Sequence, residues 1–326
     1  MMRSPRYMAI ALRLPDGTIV IREQLWKGLA ERFPLLKKPL LRGIAVLIES
    51  MANGIEALGY SADRAVQADA PAGQEGKGLS NWELAGSMIL AFAFGIALFV
   101  ALPHALTYFI GKAGVFENGT DNPLFHLIDG AIKAAILVLY IAGISLMKDI
   151  KRVFQYHGAE HKSIHASEKG EDLTIANARK HPTMHPRCGT SFLLFLVLTS
   201  VVIFSAVFPL LGINPKTGTV LLDQALLILV KISLMFPVAA VSYELIRYTG
   251  NHMDNPLVRT LIAPGLWLQK LTTREPDDSQ LEIALASLRR VLLLEKEPAQ
   301  LSKDELSFKS ASDIAAVPAT VAEFQD

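Results

Sequence analysis

Residues 189–213 read GTSFLLFLVLTSVVIFSAVFPLLGI, an uncharged apolar run long enough to cross a lipid bilayer as a helix. Runs of similar length and apolarity occupy residues 83–110, 124–147 and 220–248. One such run also fits a buried helix of a soluble protein, but four in one chain argue against that alternative. The sequence therefore predicts a mainly α-helical, polytopic membrane protein with about four transmembrane helices.

The overall composition agrees with this class of protein. Of the 326 residues, 51% are hydrophobic, and the formal net charge is only +1. Because the chain has no excess of positive charge, we expect no nucleic acid as a partner. Cys188 is the only cysteine, so an intrachain disulfide is excluded. The expected partners are the lipid bilayer and an unknown membrane-associated substrate or protein.

The distribution of Lys and Arg predicts the orientation in the membrane. Basic residues are frequent before the first run and in the loop of residues 148–188, which lies between the second and third runs. The short loops 111–123 and 214–219 contain only Lys112 and Lys216 as basic residues. By the positive-inside rule, the 148–188 loop and both chain termini lie in the cytoplasm. An even number of spans agrees with termini on one side.

The segment before the first span contains two predicted elements. Alternating apolar residues around Pro15-Asp16-Gly17 predict a short β-ribbon within residues 7–24. Apolar residues at helical spacing over residues 42–60 predict an amphipathic helix, which could lie on the membrane surface. Residues 61–80 are rich in Ala, Gly and charge, and we expect them to form a linker.

The segment after the fourth span is also predicted to be partly helical. Asp277 or Asp278 is placed to cap an amphipathic helix that carries several leucines. We expect the tail beyond Pro298 to be poorly ordered. The predicted regions are the N-terminal cytoplasmic segment 1–81, the membrane domain 82–248 with its histidine-rich loop 148–188, and the C-terminal cytoplasmic segment 249–326.

The histidine-rich loop contains a possible metal-binding motif. His157, Glu160 and His161 form the pattern H-x-x-E-H. On a helix, positions i and i+4 share one face, so both imidazoles can reach one metal ion. Glu160 is then placed to act as a general base on a water molecule at the metal. His165 continues the same stripe at position i+8.

The second half of the loop offers further donors. His185 and Cys188 place an imidazole and a thiol three residues apart, and His181 is another candidate. Together with the two motif histidines, His185 and Cys188 make a tetrahedral set suited to zinc, of which a catalytic site uses only three. Arg187 is placed to stabilise developing negative charge. The alternatives are a histidine pattern on a solvated helix face and a Cys188 that is merely a small buried residue.

Charged and imidazole side chains within the spans could either contact a partner or ligand or be packing and interfacial residues. Lys231, near the middle of the fourth span, either faces a partner or a cavity or extends towards the outer interface. Glu244 either approaches the histidine cluster as a carboxylate ligand or is an interfacial carboxylate beside Arg247. His104 and His126 are expected to be packing or interfacial residues.

The loop carries a family resemblance. YHGAEHKSIHASEKGEDLT, followed by HPRCGTSFLL, resembles the signature of the YqhQ-like family of bacterial membrane proteins. This family is described as predicted metal-dependent enzymes without an established reaction. LRGIAVLIESM and APGLWLQKLTTREPDDSQLEIAL also fit it, so the resemblance extends to about Glu295. It implicates His157, Glu160, His161, His185, Arg187 and Cys188, and it implies location in the bacterial plasma membrane.

Two functions remain as hypotheses from the sequence. The first is a zinc-dependent hydrolase at the cytoplasmic face, with His157, His161 and either His185 or Cys188 as metal ligands. Glu160 would be its general base and Arg187 its electrostatic stabiliser. The alternative is a non-catalytic scaffold or regulatory protein in which the metal is structural. A transporter is less favoured, because the spans are poor in charge and show no inverted repeat.

Overall fold

The computed structural model describes residues 1–69, 81–116 and 119–314, and it begins with an antiparallel sheet. Its strands are β1 (Met2–Arg3), β2 (Tyr7–Arg13) and β3 (Ile19–Leu25). In the β2–β3 hairpin, Tyr7 pairs with Leu25 and Arg13 pairs with Ile19. Gly17 lies in the turn with a φ of +88°, a conformation that glycine adopts without steric cost. The predicted β-ribbon is therefore confirmed.

Two helices follow the hairpin, the short α1 (Leu29–Arg32) and the long α2 (Leu41–Asp69). The predicted amphipathic helix is thus present, but it continues nine residues into the expected linker. Ala, Arg and Gln favour helix there, and the Tyr60 hydroxyl and the Arg64 guanidinium both donate to the carboxylate of Glu305. The linker prediction is wrong for residues 61–69, and residues 70–80 lie outside the described part of the chain.

Four helices of the described residues are long and apolar enough to cross a membrane. The first span, Ala85–Lys112, consists of α3 (Asn81–Ile96), a π-helical turn (Ala97–Ala101) and α4 (Leu102–Lys112). The others are α5 (Pro123–Ile144), α8 (Gly189–Leu211) and α9 (Val220–Asn251). The prediction of a mainly α-helical protein with four candidate membrane spans is confirmed.

The loop between the second and third spans is largely helical. After α5 ends, Ser145–Met147 form a break, and α6 (Lys148–Glu168) begins as a separate helix. The short α7 (Ile175–Arg179) follows, with the hydroxyl of Thr174 capping its first turn. The histidines of the loop therefore lie on a helix that is distinct from the span before it.

The region after the fourth span is more ordered than predicted. It contains α10 (Pro256–Thr272), α11 (Asp278–Lys296) and β4 (Leu306–Phe308). Asp277 caps α11 through a capping box with Gln280, as predicted for this position. Strand β4 pairs with β3, so the expected disorder beyond Pro298 is wrong up to residue 314. Residues 315–326 lie outside the described part.

One hydrophobic core joins three regions that the sequence analysis treats separately. It combines Ala9 and Ile21 of the sheet, Ala166 of α6, and Leu285 and neighbouring residues of α11. Each fully buried Ile or Leu contributes roughly 1.5–3 kcal/mol to the free energy of unfolding. The segments before and after the spans therefore form one packed unit, and this unit fixes the position of α6.

A cluster of buried charges lies inside the bundle of spans. The Lys231 ammonium, which is fully buried, donates to Asp129 Oδ2 at 3.0 Å and to His104 Nδ1 at 2.9 Å. Lys133 donates to the same Asp129 oxygen at 3.3 Å, and His104 donates from Nε2 to Gln224 at 2.8 Å. Of the two alternatives for Lys231, the structure shows the partner inside the bundle and not the extension towards the outer interface. The same cluster places three charged side chains inside the bundle, so the expectation that the spans are poor in charge is wrong.

Candidate metal centre

Helix α6 presents its histidines to the chain segment before α8 and to the C-terminal end of α10. Its close approach depends on Gly158, the residue after the first motif histidine. A Cβ at this position would lie 2.1 Å from the carbonyl oxygen of Arg274, so only glycine fits. The amide of Arg274 in turn donates to the carbonyl of Phe154 at 2.9 Å. Helix α6 is therefore held against the backbone that follows α10.

The two histidines of the H-x-x-E-H motif are fixed by main-chain carbonyls. His157 donates from Nδ1 to the carbonyl oxygen of Thr272 at 2.8 Å. His161 donates from Nδ1 to that of Thr183 at 2.5 Å. A carbonyl acceptor of this kind sets the tautomer and the ring orientation of metal-binding histidines. Both Nε2 atoms are consequently directed away from the backbone and towards the thiol of Cys188.

Cys188 completes a three-donor group. It is the residue that caps α8, and its Sγ lies 3.2 Å from His157 Nε2. The ligand atoms of His157, His161 and Cys188 all lie within 4.8 Å of one another. A thiolate with two imidazoles is a donor set that suits zinc. The residues present therefore fit the metal that the sequence predicts.

The thiol and the imidazole alter each other's protonation. Burial alone would raise the pKa of Cys188, but hydrogen bonds from His157 and His161 lower it to about 5. Burial alone would lower the pKa of His157, but the hydrogen bond to Cys188 and its charge raise it to about 9. The pair is thus a thiolate and an imidazolium at neutral pH. A thiolate is the form of cysteine that binds metals.

The three donor atoms face a cavity of about 400 Å³. Its lining also includes Glu160, Glu168, His185 and Arg187. The Glu160 carboxylate accepts a hydrogen bond from the amino group of Met1 at 2.9 Å and is about one-third exposed. The motif carboxylate and the three donors therefore share one solvent-accessible space.

The structure places His185 in a second group rather than with the first three donors. Its Nε2 lies 3.2 Å from Glu168 Oε1, and its Nδ1 accepts the amide of Arg187 at 3.2 Å. The ligand atoms of His165, Glu168 and His185 lie within 4.8 Å of one another. The predicted four-ligand set of two motif histidines, His185 and Cys188 is therefore separated into two adjacent groups.

Arg187 has an ion-pair partner that the sequence analysis did not assign to it. Its guanidinium donates to Glu168, which also accepts from His185. Burial alone would raise the pKa of Glu168, but the hydrogen bond from His185 and the charge of Arg187 lower it. Glu168 is consequently ionised, and Arg187 lies at the cavity with part of its charge compensated. His181, another candidate ligand, instead contacts Glu171 at 2.9 Å.

Gln269 on α10 is a positioning residue that the sequence analysis missed. It is fully buried, and its side chain accepts from the amide of His185 and donates to the carbonyl of His185, both at 2.8 Å. It also donates to the hydroxyl of Ser191 at 2.8 Å. These bonds tie the loop before α8 to α10. A single glutamine in an amphipathic helix gives no motif signal from which to predict this.

Glu244 does not belong to this centre. Its carboxylate accepts from the Arg42 guanidinium and from the amide of Leu40 at 3.1 Å. This pairing joins α9 to the start of α2. Glu244 therefore does not supply a carboxylate ligand to the centre. Its ion-pair partner is Arg42 on α2, in addition to the nearby charge of Arg247.

Comparison with known proteins gives a family but no reaction. A family described as "Protein of unknown function (DUF1385)" matches residues 38–294. The protein called "Uncharacterized protein YqhQ" from Bacillus subtilis (strain 168) is 35% identical over 298 residues, which is 87% of this chain and 86% of the relative. No solved structure matches the chain. The match covers both donor groups and all four candidate spans, and the chain belongs to the DUF1385, or YqhQ-like, family.

Proposed function

We propose that this chain is a zinc-dependent hydrolase that acts at the cytoplasmic face of the bacterial plasma membrane. One observation carries the proposal: the ligand atoms of His157, His161 and Cys188 lie within 4.8 Å of one another and face the cavity that Glu160 also lines. Catalytic zinc sites use three protein ligands and keep a further position for water or substrate.

The position of the donors supports a reaction at the membrane surface. Helix α6 starts four residues after α5 ends, and Cys188 directly precedes the span α8. The centre therefore lies where two candidate spans leave the apolar layer. The basic residues of the same loop favour the cytoplasmic side.

The residues around the donors have separate roles in this proposal. A bound zinc ion would act as a Lewis acid towards a carbonyl or phosphoryl oxygen of the substrate. Glu160, one residue before a ligand, takes the proton of the attacking water and returns it to the leaving group. Arg187 places its guanidinium at the cavity, where it stabilises negative charge that develops on the substrate.

A structural zinc site in a scaffold protein is the second candidate function. The observation that favours it is the distance of 5.7 Å between the ring centroids of His161 and His185. A change in the side-chain torsions of His185 would bring a fourth donor to the first three. A complete set of four protein ligands is typical of structural zinc.

Cobalt substitution tests metal binding by His157, His161 and Cys188 without an activity assay. Cobalt(II) added to the metal-free, detergent-purified protein should give a thiolate-to-cobalt charge-transfer band in the near ultraviolet. The band should be absent in Cys188→Ser and in His157→Ala/His161→Ala, and it should be retained in Glu160→Gln. If the wild type shows no such band and binds no zinc, the proposal is wrong.

A small hydroxamate separates the two candidate functions. If the centre keeps an open position, acetohydroxamate should bind the metal-loaded protein and change the cobalt spectrum. A closed four-ligand site should leave the spectrum unchanged. An open site should also hydrolyse some member of a panel of chromogenic esters, amides and phosphoesters in mixed micelles, and Glu160→Gln should abolish that hydrolysis while the metal stays bound.

A further inference from the structure

A second donor group lies directly beside the first. It consists of His165, Glu168 and His185, whose ligand atoms are within 4.8 Å of one another. We propose that this group binds a second divalent cation, so that the centre is binuclear. The inference rests on the proposed function in one respect only, namely that His157, His161 and Cys188 bind the first ion.

His165 is anchored in the same manner as the two motif histidines. It donates from Nε2 to the carbonyl oxygen of Met184 at 2.9 Å. Its Nδ1 is thereby left to face Glu168, at 3.9 Å from Oε2. All three histidines of the α6 stripe thus have one ring nitrogen bonded to a backbone carbonyl and the other directed at a donor group. An imidazole on a solvated face does not need such an anchor.

The two groups are close enough to serve one reaction. The His185 ring centroid lies 5.7 Å from that of His161 and 4.7 Å from that of His165. Glu168 and His185 line the same cavity as the first three donors. Two-metal sites hold their ions about 3.5–4 Å apart. A cavity of about 400 Å³ between the groups accommodates two ions at that spacing.

Each donor group contains one sulfur or carboxylate ligand beside its imidazoles. The first group holds the Cys188 sulfur and the second holds the Glu168 carboxylate, while Glu160 on the same lining is paired with the amino group of Met1. Within each donor group, a ring nitrogen faces an anion: His157 Nε2 faces Cys188, and His185 Nε2 faces Glu168. A divalent cation can replace the shared proton in either pair.

The second ion should bind more weakly than the first. The Nδ1 atoms of the motif histidines donate to carbonyls, so each ring stays neutral when its Nε2 binds a metal. His185 Nδ1 instead accepts the amide of Arg187 at 3.2 Å. Binding through Nε2 requires a proton on Nδ1, and this contact is then lost. Arg187 also competes for the Glu168 carboxylate.

Zinc content measured on matched variants tests the inference. After equilibration with excess zinc and removal of free metal, elemental analysis should find about two zinc ions per wild-type chain. His165→Ala/Glu168→Gln and His157→Ala/Cys188→Ser should each retain about one. Glu171→Gln, which removes the carboxylate that contacts His181 in the same loop, should retain two and serves as the matched control.

Cobalt titration of the wild type gives a readout that needs no variant. Only the first group contains a thiolate, so the charge-transfer band should saturate at one equivalent. The visible ligand-field absorption should continue to rise to two equivalents. Circular dichroism and gel filtration of each variant show whether a loss of metal reflects unfolding.

The outcomes separate this inference from the proposed function. One zinc ion per wild-type chain, unchanged in His165→Ala/Glu168→Gln, would overturn the second site and leave the proposed function intact. One ion that is lost in both double variants would also overturn it, because the two groups would then hold a single ion together. No bound metal in the wild type would overturn both.

Discussion

The buried ionic cluster inside the bundle and the candidate metal centre both contain ionisable side chains, and they differ in what their polar atoms contact. In the ionic cluster inside the bundle, Lys231 bonds to Asp129 of α5 and to His104 of α4. These side chains bond to one another across three spans. In the candidate metal centre, His157 and His161 are bonded to main-chain carbonyls, and their remaining nitrogens face a cavity.

This contrast shows that burial of charged groups is a poor guide to function by itself. Charged side chains that pair with one another hold helices together, and removal of one partner leaves the other uncompensated. Histidines that are anchored to backbone carbonyls through one ring nitrogen keep the other nitrogen available for a ligand. Substitutions in and beside the two clusters test this contrast.

Asp129→Ala should cause the largest loss of stability. The change leaves Lys231 and Lys133 in the bundle without their shared carboxylate. Loss of one partner of a buried ion pair costs about 3–5 kcal/mol. Unfolding in mixed micelles of increasing SDS fraction should show this loss, and metal content measured before unfolding should be unchanged. Ser233→Ala, at an exposed position of α9, is the control. A loss below about 1 kcal/mol would mean that the ionic cluster does not stabilise the bundle.

His157→Ala should raise the pKa of the Cys188 thiol. In the metal-free wild type, the thiolate should form as the pH rises through about 5 and should be lost as the pH falls through it. Removal of the imidazolium should move this midpoint upwards by about 1–3 pH units. Thiolate absorbance in the ultraviolet measures the midpoint, and Cys188→Ser is an exact blank because the chain has one cysteine. An unchanged midpoint would show that the two side chains are not coupled.

Gly158→Ala should separate α6 from the segment after α10. The new methyl group would lie 2.1 Å from the Arg274 carbonyl oxygen, so the backbone must shift. Steric overlap of this kind costs about 1–3 kcal/mol. The His157–Thr272 hydrogen bond should weaken, and the affinity for zinc should fall with it. Gly143→Ala on α5 is the matched control, because its Cβ would meet nothing within 4 Å. Equal stability and zinc affinity in the two variants would contradict this account of the glycine.

Glu244→Gln should have the smallest effect. Its ion pair with Arg42 is partly exposed, with each side chain about one-quarter accessible. Partly exposed pairs contribute about 0–1 kcal/mol. The zinc content should be identical to that of the wild type, because Glu244 lies outside both donor groups. A lower zinc content would show that Glu244 acts on the metal centre after all.

The parts of this structure that depend on local sequence could be predicted. The four spans follow from length and apolarity, the cap of α11 follows from Asp277, and the face shared by His157 and His161 follows from helical spacing. Cys188 could be placed near them only as one of several candidate donors. Its contact with His157 depends on how α8 and α6 pack.

The parts that depend on distant contacts could not be predicted. Thr183 and Thr272 act through their carbonyl groups, which every residue has, so their side chains give no signal. Asp129 and Lys133 are hidden by the apolar residues around them in a hydropathy average. Strand β4 is only three residues long, and its partner β3 lies near the other end of the sequence.

The pairing of Ile19 with Phe308 has a consequence for biosynthesis. At about 5–20 residues per second, a ribosome needs roughly 15–60 s to produce the chain between these two residues. Thr272 and Gln269, which orient His157 and His185, are also made after all four candidate spans. The four candidate spans are therefore synthesised before the candidate metal centre is complete. The proposed zinc site is complete only near the end of translation, so truncated products that insert normally would carry no complete site.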